Sequence, residues 1–246
     1  MAYIENPKTA GSGIVCAIPQ TGLCPNGCRD CFFNSGRGYL EPLEQNLPNV
    51  PDPEIVSQHG CVVRMNDGND SNVQKRVVLD AAKWYDWVFF NTSIPDLDFP
   101  GPVVLTVNPG EMTDVDFHRI DVIPKNLMFV RVRTNYWNVQ LVHNVVRWYT
   151  DRDVPVVLTF MAYWDIDAEP NLAENMYRDR YIWRQRTMNP YWAIRGWAWR
   201  EIMGMFHNNF LVYSCGREGE EGTTECRYCG NCLREFGASK VRLWDG

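Results

Sequence analysis

Six short apolar runs, at 13–18, 61–65, 87–91, 103–107, 127–132 and 154–160, constrain this chain more than any other feature of its sequence. They are rich in Val, Ile and Phe and are bounded by Gly, Pro, Asn or Asp, the pattern of strands buried on both faces. Between them lie segments of helical spacing: 71–85, with Val73, Val77, Val78 and Ala81 in one stripe, and 137–149, with Leu141, Val142, Val145 and Trp148. The second to sixth runs begin roughly 15 to 27 residues apart, the interval that a strand, a crossover and a return strand require. This alternation predicts an α/β fold, a partial (β/α)6 TIM-like barrel. The connection at 92–102 is too short and too proline-rich for a helix, so one crossover is expected to be irregular. Residues 172–206 read as a C-terminal helical segment, aromatic in character and interrupted at Asn189-Pro190, and a small cysteine-rich metal-binding tail follows. The expected division is a barrel with its closing helices over 1–206 and the tail over 207–246.

A chain of 246 residues with 45% hydrophobic content can bury a substantial core. Its net charge of -6 gives no overall basic field, which argues against a phosphate-driven nucleic-acid binder. The N-terminal MAYIENPKTAGSG lacks the basic start and apolar run of a secretory signal, and no apolar stretch is long enough to span a bilayer. A cytoplasmic protein without a membrane partner is expected. Nine cysteines are many for a reducing compartment, and their grouping at short spacings points to metal rather than disulfides.

The first group lies in GIVCAIPQTGLCPNGCRDCFF, where Cys24, Cys28 and Cys31 occupy a Gly- and Pro-containing loop directly after the first strand. A loop can wrap a cluster where a regular element cannot. Three thiolates leave one iron of a cubane without a protein ligand, and an open coordination position distinguishes a reactive metal site from a closed structural one. Zinc would need a fourth ligand, for which Cys16 is the nearby candidate, but Cys16 falls within the strand and is expected to point into the sheet.

In this loop the chain resembles the radical S-adenosylmethionine (radical SAM) superfamily, whose defining motif is Cys, three residues, Cys, two residues, Cys after the first strand of a partial (β/α) barrel. The match is that of a divergent member, since Asp30 stands where the family often has an aromatic residue. The resemblance implies a 4Fe-4S cluster on Cys24, Cys28 and Cys31. Reduced by a partner such as flavodoxin or ferredoxin, this cluster cleaves S-adenosyl-L-methionine to a 5′-deoxyadenosyl radical that abstracts a substrate hydrogen. It also implies a turn after the second strand that receives the methionyl ammonium. Here that place is held by Asn66, Asp67 and Gly68, acceptor-rich residues that also suit an ordinary turn and helix cap.

Thr106 and Asn108 lie at the carboxyl end of the fourth run, where a ribose hydroxyl would sit in a parallel α/β site. Arg131 and Arg133 share one face of the fifth run; turned inward they would meet the SAM carboxylate, and turned outward they would pair with Asp165 or Asp167. Tyr163 and Asn135 lie just past the ends of the sixth and fifth runs, at the same expected mouth.

The second group, VYSCGREGEEGTTECRYCGNCLREFG, contains Cys215, Cys226, Cys229 and Cys232. Three thiols at successive two-residue gaps resemble bacterial ferredoxin loops and predict an auxiliary 4Fe-4S cluster, with structural zinc as the alternative. The Arg- and Trp-rich segment 176–206 suits either barrel-closing packing or base stacking. The functional expectation is a radical SAM enzyme, with peptide or protein modification favoured over a nucleotide-derived small molecule. The remaining alternative is a non-enzymatic metal-stabilised binding or electron-transfer protein.

Overall fold

A computed structural model describes residues 2–28, 39–40, 42–108, 120–163, 167, 169–185, 190–215 and 226–244, excepting the side chains of Arg227 and Trp244. Cys31 therefore lies outside the described residues, as do Asp165 and His118.

All six apolar runs are strands: β1 (Ile14–Ala17), β2 (Val62–Met65), β3 (Val88–Thr92), β4 (Val103–Val107), β5 (Leu127–Thr134) and β6 (Val156–Phe160). The first connecting helix, α1 (Pro53–Gln58), has no counterpart among the helical segments read from the sequence; Asp52 caps it by accepting from the Glu54 and Ile55 amides. The crossovers α2 (Lys75–Ala82) and α3 (Val139–Thr150) follow β2 and β5, and the β3–β4 connection is irregular as expected.

Beyond β6 come the short helix α4 (Pro170–Ala173), the strands β7 (Tyr181–Arg184) and β8 (Tyr191–Ile194), α5 (Gly196–Gly204), β9 (Val212–Ser214), α6 (Cys226–Cys229) and α7 (Asn231–Trp244). Two features depart from the expected plan. β9 adds a seventh parallel strand beside β6, so the curled half-barrel has the order β1-β2-β3-β4-β5-β6-β9. Part of the segment read as helical is instead the antiparallel pair β7–β8, because Tyr181, Ile182, Trp183, Tyr191 and Trp192 prefer a pleated, half-buried surface.

The sheet has two apolar faces. α2, α3 and α5 cover the outer one through Val78, Ala82, Val142, Val145, Tyr149, Ala198 and Ile202, packed on Val63, Met65, Val130, Val132 and Leu158. The inner face carries Ile14, Val62, Phe89, Val104, Phe129 and Val157, and α7 lies against it through Leu233 and Phe236. Gly13 permits this approach: its φ is +74°, and a Cβ there would meet Leu233 Cδ1 at 3.2 Å.

A β-bulge sets the direction of the fifth strand. Val103 pairs with Leu127 but Val104 pairs with Phe129, so Met128 is an extra residue. Leu127 packs on the outer face and Phe129 on the inner one, and the alternation restarts from there. Arg131 and Arg133 thereby join Phe129 on the inner face. Arg242 on α7 holds the bulge, its Nη2 donating to the carbonyls of Leu127 (3.2 Å) and Met128 (3.3 Å). Among the described residues, no helix is long and apolar enough to cross a membrane.

Candidate functional site

The loop after β1 carries Cys24 and Cys28, both partly buried, and turns at Gly27, whose φ of +58° suits glycine. It is tied to the carboxyl ends of β2 and β3 by side-chain hydrogen bonds. The buried Gln20 donates Nε2 to the carbonyls of Asp70 and Val73, each at 2.9 Å. Asn26, between the two cysteines, donates to Asp70 Oδ2 at 3.2 Å and Ser93 Oγ at 3.1 Å. Asp70 is the centre of this network: Oδ1 accepts from Thr92 Oγ1 at 2.7 Å and the Asn72 amide at 2.9 Å. Its Oδ2 accepts from the Ser93 amide at 2.6 Å and Ser93 Oγ at 2.8 Å. A charged acceptor with so many donors fixes geometry strongly, and the thiol loop inherits that rigidity.

The turn after β2 divides its expected residues between two tasks. Asp67 faces back to the barrel floor, where Oδ2 accepts from Asn6 Nδ2 at 2.6 Å and pairs with Arg64 Nη2 at 3.3 Å. Arg64 in turn donates to Cys16 Sγ at 3.1 Å, and Cys16 is fully buried within β1 as its place in the strand predicts. Burial raises the Cys16 pKa and keeps the thiol protonated, against the opposing field of Arg64. Asn66 adopts a left-handed φ of +63°, is buried, and receives Asn91 Nδ2 on its carbonyl at 3.0 Å. Gly68 is partly buried in the same turn.

Toward the carboxyl ends of β4, β5 and β6 the inner face becomes polar. Thr106 pairs with Arg131 and Arg133 with Thr159, while Asn108 continues the β4 row one step beyond the Val107–Val132 pair. Among the described residues neither arginine forms an ion pair, although Arg131 lies 5.7 Å from the Phe129 ring centroid. Among the described residues, several buried polar atoms of the inner face have no hydrogen-bond partner: Asn66 Oδ1, Asn91 Oδ1, both Nδ2 and Oδ1 of Asn108, Arg133 Nη1 and Thr159 Oγ1. Each such atom costs about 1–3 kcal/mol if nothing meets it. Their concentration on one face marks a surface built to receive a polar molecule.

The tail thiols gather against this face from the β9 edge. Cys215 follows β9, and its amide donates to the Leu158 carbonyl at 2.7 Å. Its thiol is pushed up first by a hydrogen bond with Cys229 and next by burial, while Arg131 opposes the rise. Burial also raises Cys232, opposed by Arg131 and Arg64. Burial weighs against the Arg64 charge, but Cys16, Asp67, Cys226 and Cys232 hold its guanidinium protonated. Two inward cations thus share an electrostatic neighbourhood with Cys215, Cys226 and Cys232. Asn231 Nδ2 and Trp199 Nε1 anchor the segment at Ser214, through its carbonyl at 2.7 Å and its hydroxyl at 2.9 Å. Among the described residues, no group of three or more His, Cys, Asp or Glu side chains stands in an arrangement that would hold a metal as it is.

Tyr163 sits apart from the polar row. It is buried in an aromatic wall with Trp137 (5.4 Å between centroids) and Tyr181 (6.1 Å), and its hydroxyl accepts from Asn135 at 3.2 Å. The Arg- and Trp-rich segment engages itself: Arg180 lies over Trp197 at 4.7 Å and Arg178 over Trp192 at 5.3 Å, while Tyr181, Ile194, Ala198 and Ile202 close the outer core. Sequence reading did not single out Asp70, Asn91 or Thr159 as site residues. Asn91 and Thr159 were discoverable from strand alternation, since each shares a face with an inward apolar residue.

A surface groove of about 480 Å³ between α3 and residues 205–211 is lined by His143, Arg147, Phe206 and His207, and belongs to the outer side of the molecule. Comparison with known protein families, curated proteins and solved structures returns no match for this chain.

Proposed function

We propose that this chain is a radical SAM enzyme with its active site on the inner face of the half-barrel. The observation that carries this reading is the spacing of Cys24, Cys28 and Cys31 in the sequence, together with the tie through Asn26 to Asp70 of the loop after β1 that carries Cys24 and Cys28. The donor set fits a 4Fe-4S cluster with one open iron position, and the unpartnered acceptors Asn66 Oδ1 and Asn91 Oδ1 suit a methionyl ammonium next to that loop. Cys24, Cys28 and Cys31 would hold the cluster, which would supply one electron for reductive cleavage of S-adenosyl-L-methionine and thereby the means of abstracting a substrate hydrogen.

The chain's own part is binding, orientation and exclusion of water. Asp70 holds the thiol loop against β2 and β3. Asn66 and Asn91 take the ammonium, and Thr106 offers a hydroxyl to the ribose. The apolar lower half, with Phe89 and Phe129, keeps solvent hydrogen donors from below. Cys215, Cys226, Cys229 and Cys232 hold an auxiliary 4Fe-4S cluster in this proposal. Arg64 and Arg131 offset the negative charge that four thiolates bring. A reductant of the flavodoxin or ferredoxin type and a peptide or protein substrate complete the reading.

The test is anaerobic reconstitution with iron and sulfide, reduction with dithionite, and chromatography for 5′-deoxyadenosine. Product formation that disappears in Cys24→Ala, Cys28→Ala and Cys31→Ala is the expected result. Bound iron without SAM cleavage would point instead to electron transfer, and failure to bind iron would sink the proposal.

A further inference from the structure

We infer that Asn108, Arg133 and Thr159 form a binding site for a carboxylate of the substrate, one that carries an N–H group beside it, as the C-terminal residue of a peptide does. The inference rests on the reading of the inner face as a SAM-dependent active site. Three neighbouring strands contribute: Arg133 and Thr159 are paired in register on β5 and β6, and Asn108 extends β4 on the same face. Asn108 is 4% exposed, and among the described residues neither end of its amide has a partner. Arg133 Nη1 and Thr159 Oγ1 are likewise buried and unpartnered.

The donor groups available are one guanidinium NH2, one amide NH2 and one hydroxyl. They carry a single positive charge among them, which balances a monoanionic carboxylate better than a phosphate dianion. The remaining atom, Asn108 Oδ1, is an acceptor, and it requires an N–H close to the bound anion.

The SAM carboxylate does not meet this description. It shares a carbon with the ammonium, so an ammonium at Asn66 and Asn91 keeps it beside β2 and β3. Arg133 stands on β5, two inter-strand spacings or roughly 10 Å further along the sheet. Of the two arginines expected at the SAM carboxylate, Arg133 is thereby assigned to the substrate.

The experiment uses the full chain and Ala-Ala-Ala in two forms, one with a free C-terminal carboxylate and one amidated. The free acid is expected to raise the melting temperature on the order of 3 °C at about tenfold its dissociation constant, and the amide is not. Arg133→Gln and Thr159→Val, each compared with its own unliganded baseline, are expected to lose the shift. Equal shifts from acid and amide, no shift from either, or a shift that survives in Arg133→Gln would overturn the inference. If a variant does not fold, the comparison of acid and amide on the wild-type chain still decides.

A second measurement separates this site from the SAM reading. In reconstituted wild-type protein without peptide, formation of 5′-deoxyadenosine is the expected result. Its absence from the wild type would overturn the SAM reading, while the melting series continues to report on the carboxylate site.

Discussion

Asn26 donates a 3.2 Å hydrogen bond to the Asp70 carboxylate, joining the middle of the cysteine loop to the turn after β2 across 44 residues of sequence. The same carboxylate holds Thr92 and Ser93 at the end of β3. Asp70→Ala leaves several buried donors unmet and is expected to cost about 3 kcal/mol or more in urea denaturation. Asp70→Asn, which keeps one oxygen acceptor, is expected to lose less than half as much. Iron bound per chain after reconstitution should fall in the same order, and equal iron content in wild type and Asp70→Ala would refute the positioning role.

Among the described residues Arg64 is the cation most deeply enclosed by the fold, between Cys16 and Asp67. Removing it leaves the Asp67 carboxylate, itself only 3% exposed, without its counter-charge. Arg64→Met is expected to destabilise the chain by about 3–5 kcal/mol. Arg64→Met combined with Asp67→Asn should recover a measurable part of that loss in a double-mutant cycle, and strict additivity would show that the two groups are not coupled.

Stability should decline on the alkaline side. Burial raises the pKa of Cys16, Tyr39, Tyr85 and Tyr149 above their unfolded values, so over the intervening pH range the folded chain binds more protons than the unfolded one. The contribution of Cys16 is fully present below the unfolded thiol value of about 8.5 and is lost as pH rises above it, by up to ~1.4 kcal/mol per pH unit. The tyrosines follow from about pH 10. Urea midpoints measured from pH 7 to 10 check this, and Cys16→Ala should flatten the first part of the decline.

The two cysteine groups should load metal independently. Reconstituted wild type is expected to carry about eight iron atoms per chain, and the variant with Cys215, Cys226, Cys229 and Cys232 all changed to Ala about four. Metal analysis that finds about one zinc and about four iron in the wild type would replace the auxiliary cluster with a structural zinc site.

Much of the half-barrel was legible because six Val-, Ile- and Phe-rich runs at β/α intervals leave few other ways to bury both strand faces. β9 was not legible: Val212–Ser214 offers three residues, too few to display a period. The β7–β8 pair was misread as helix because its strands have only four residues each, too few to display a period, and only tertiary packing decides between helix and strand. Strand alternation correctly put Arg131 and Arg133 on one face, but the extra residue at Met128 chose which face. A single-residue bulge leaves no mark in a hydrophobicity pattern. Asp70 was missed for another reason, since its partners Asn26, Thr92 and Ser93 come from segments that meet only once the parallel strands have paired.

α7 is made after every strand whose inner face it covers, and its contacts with Phe89, Leu127 and Met128 close loops of more than a hundred residues. Until it emerges, Ile14, Val62, Phe89 and Phe129 face solvent beside the polar row that ends in Arg133 and Thr159. The growing chain therefore passes through a stage in which its future interior is an open trough, sticky at one end and charged at the other. Synthesis completes the walls of the site before the helix that floors it.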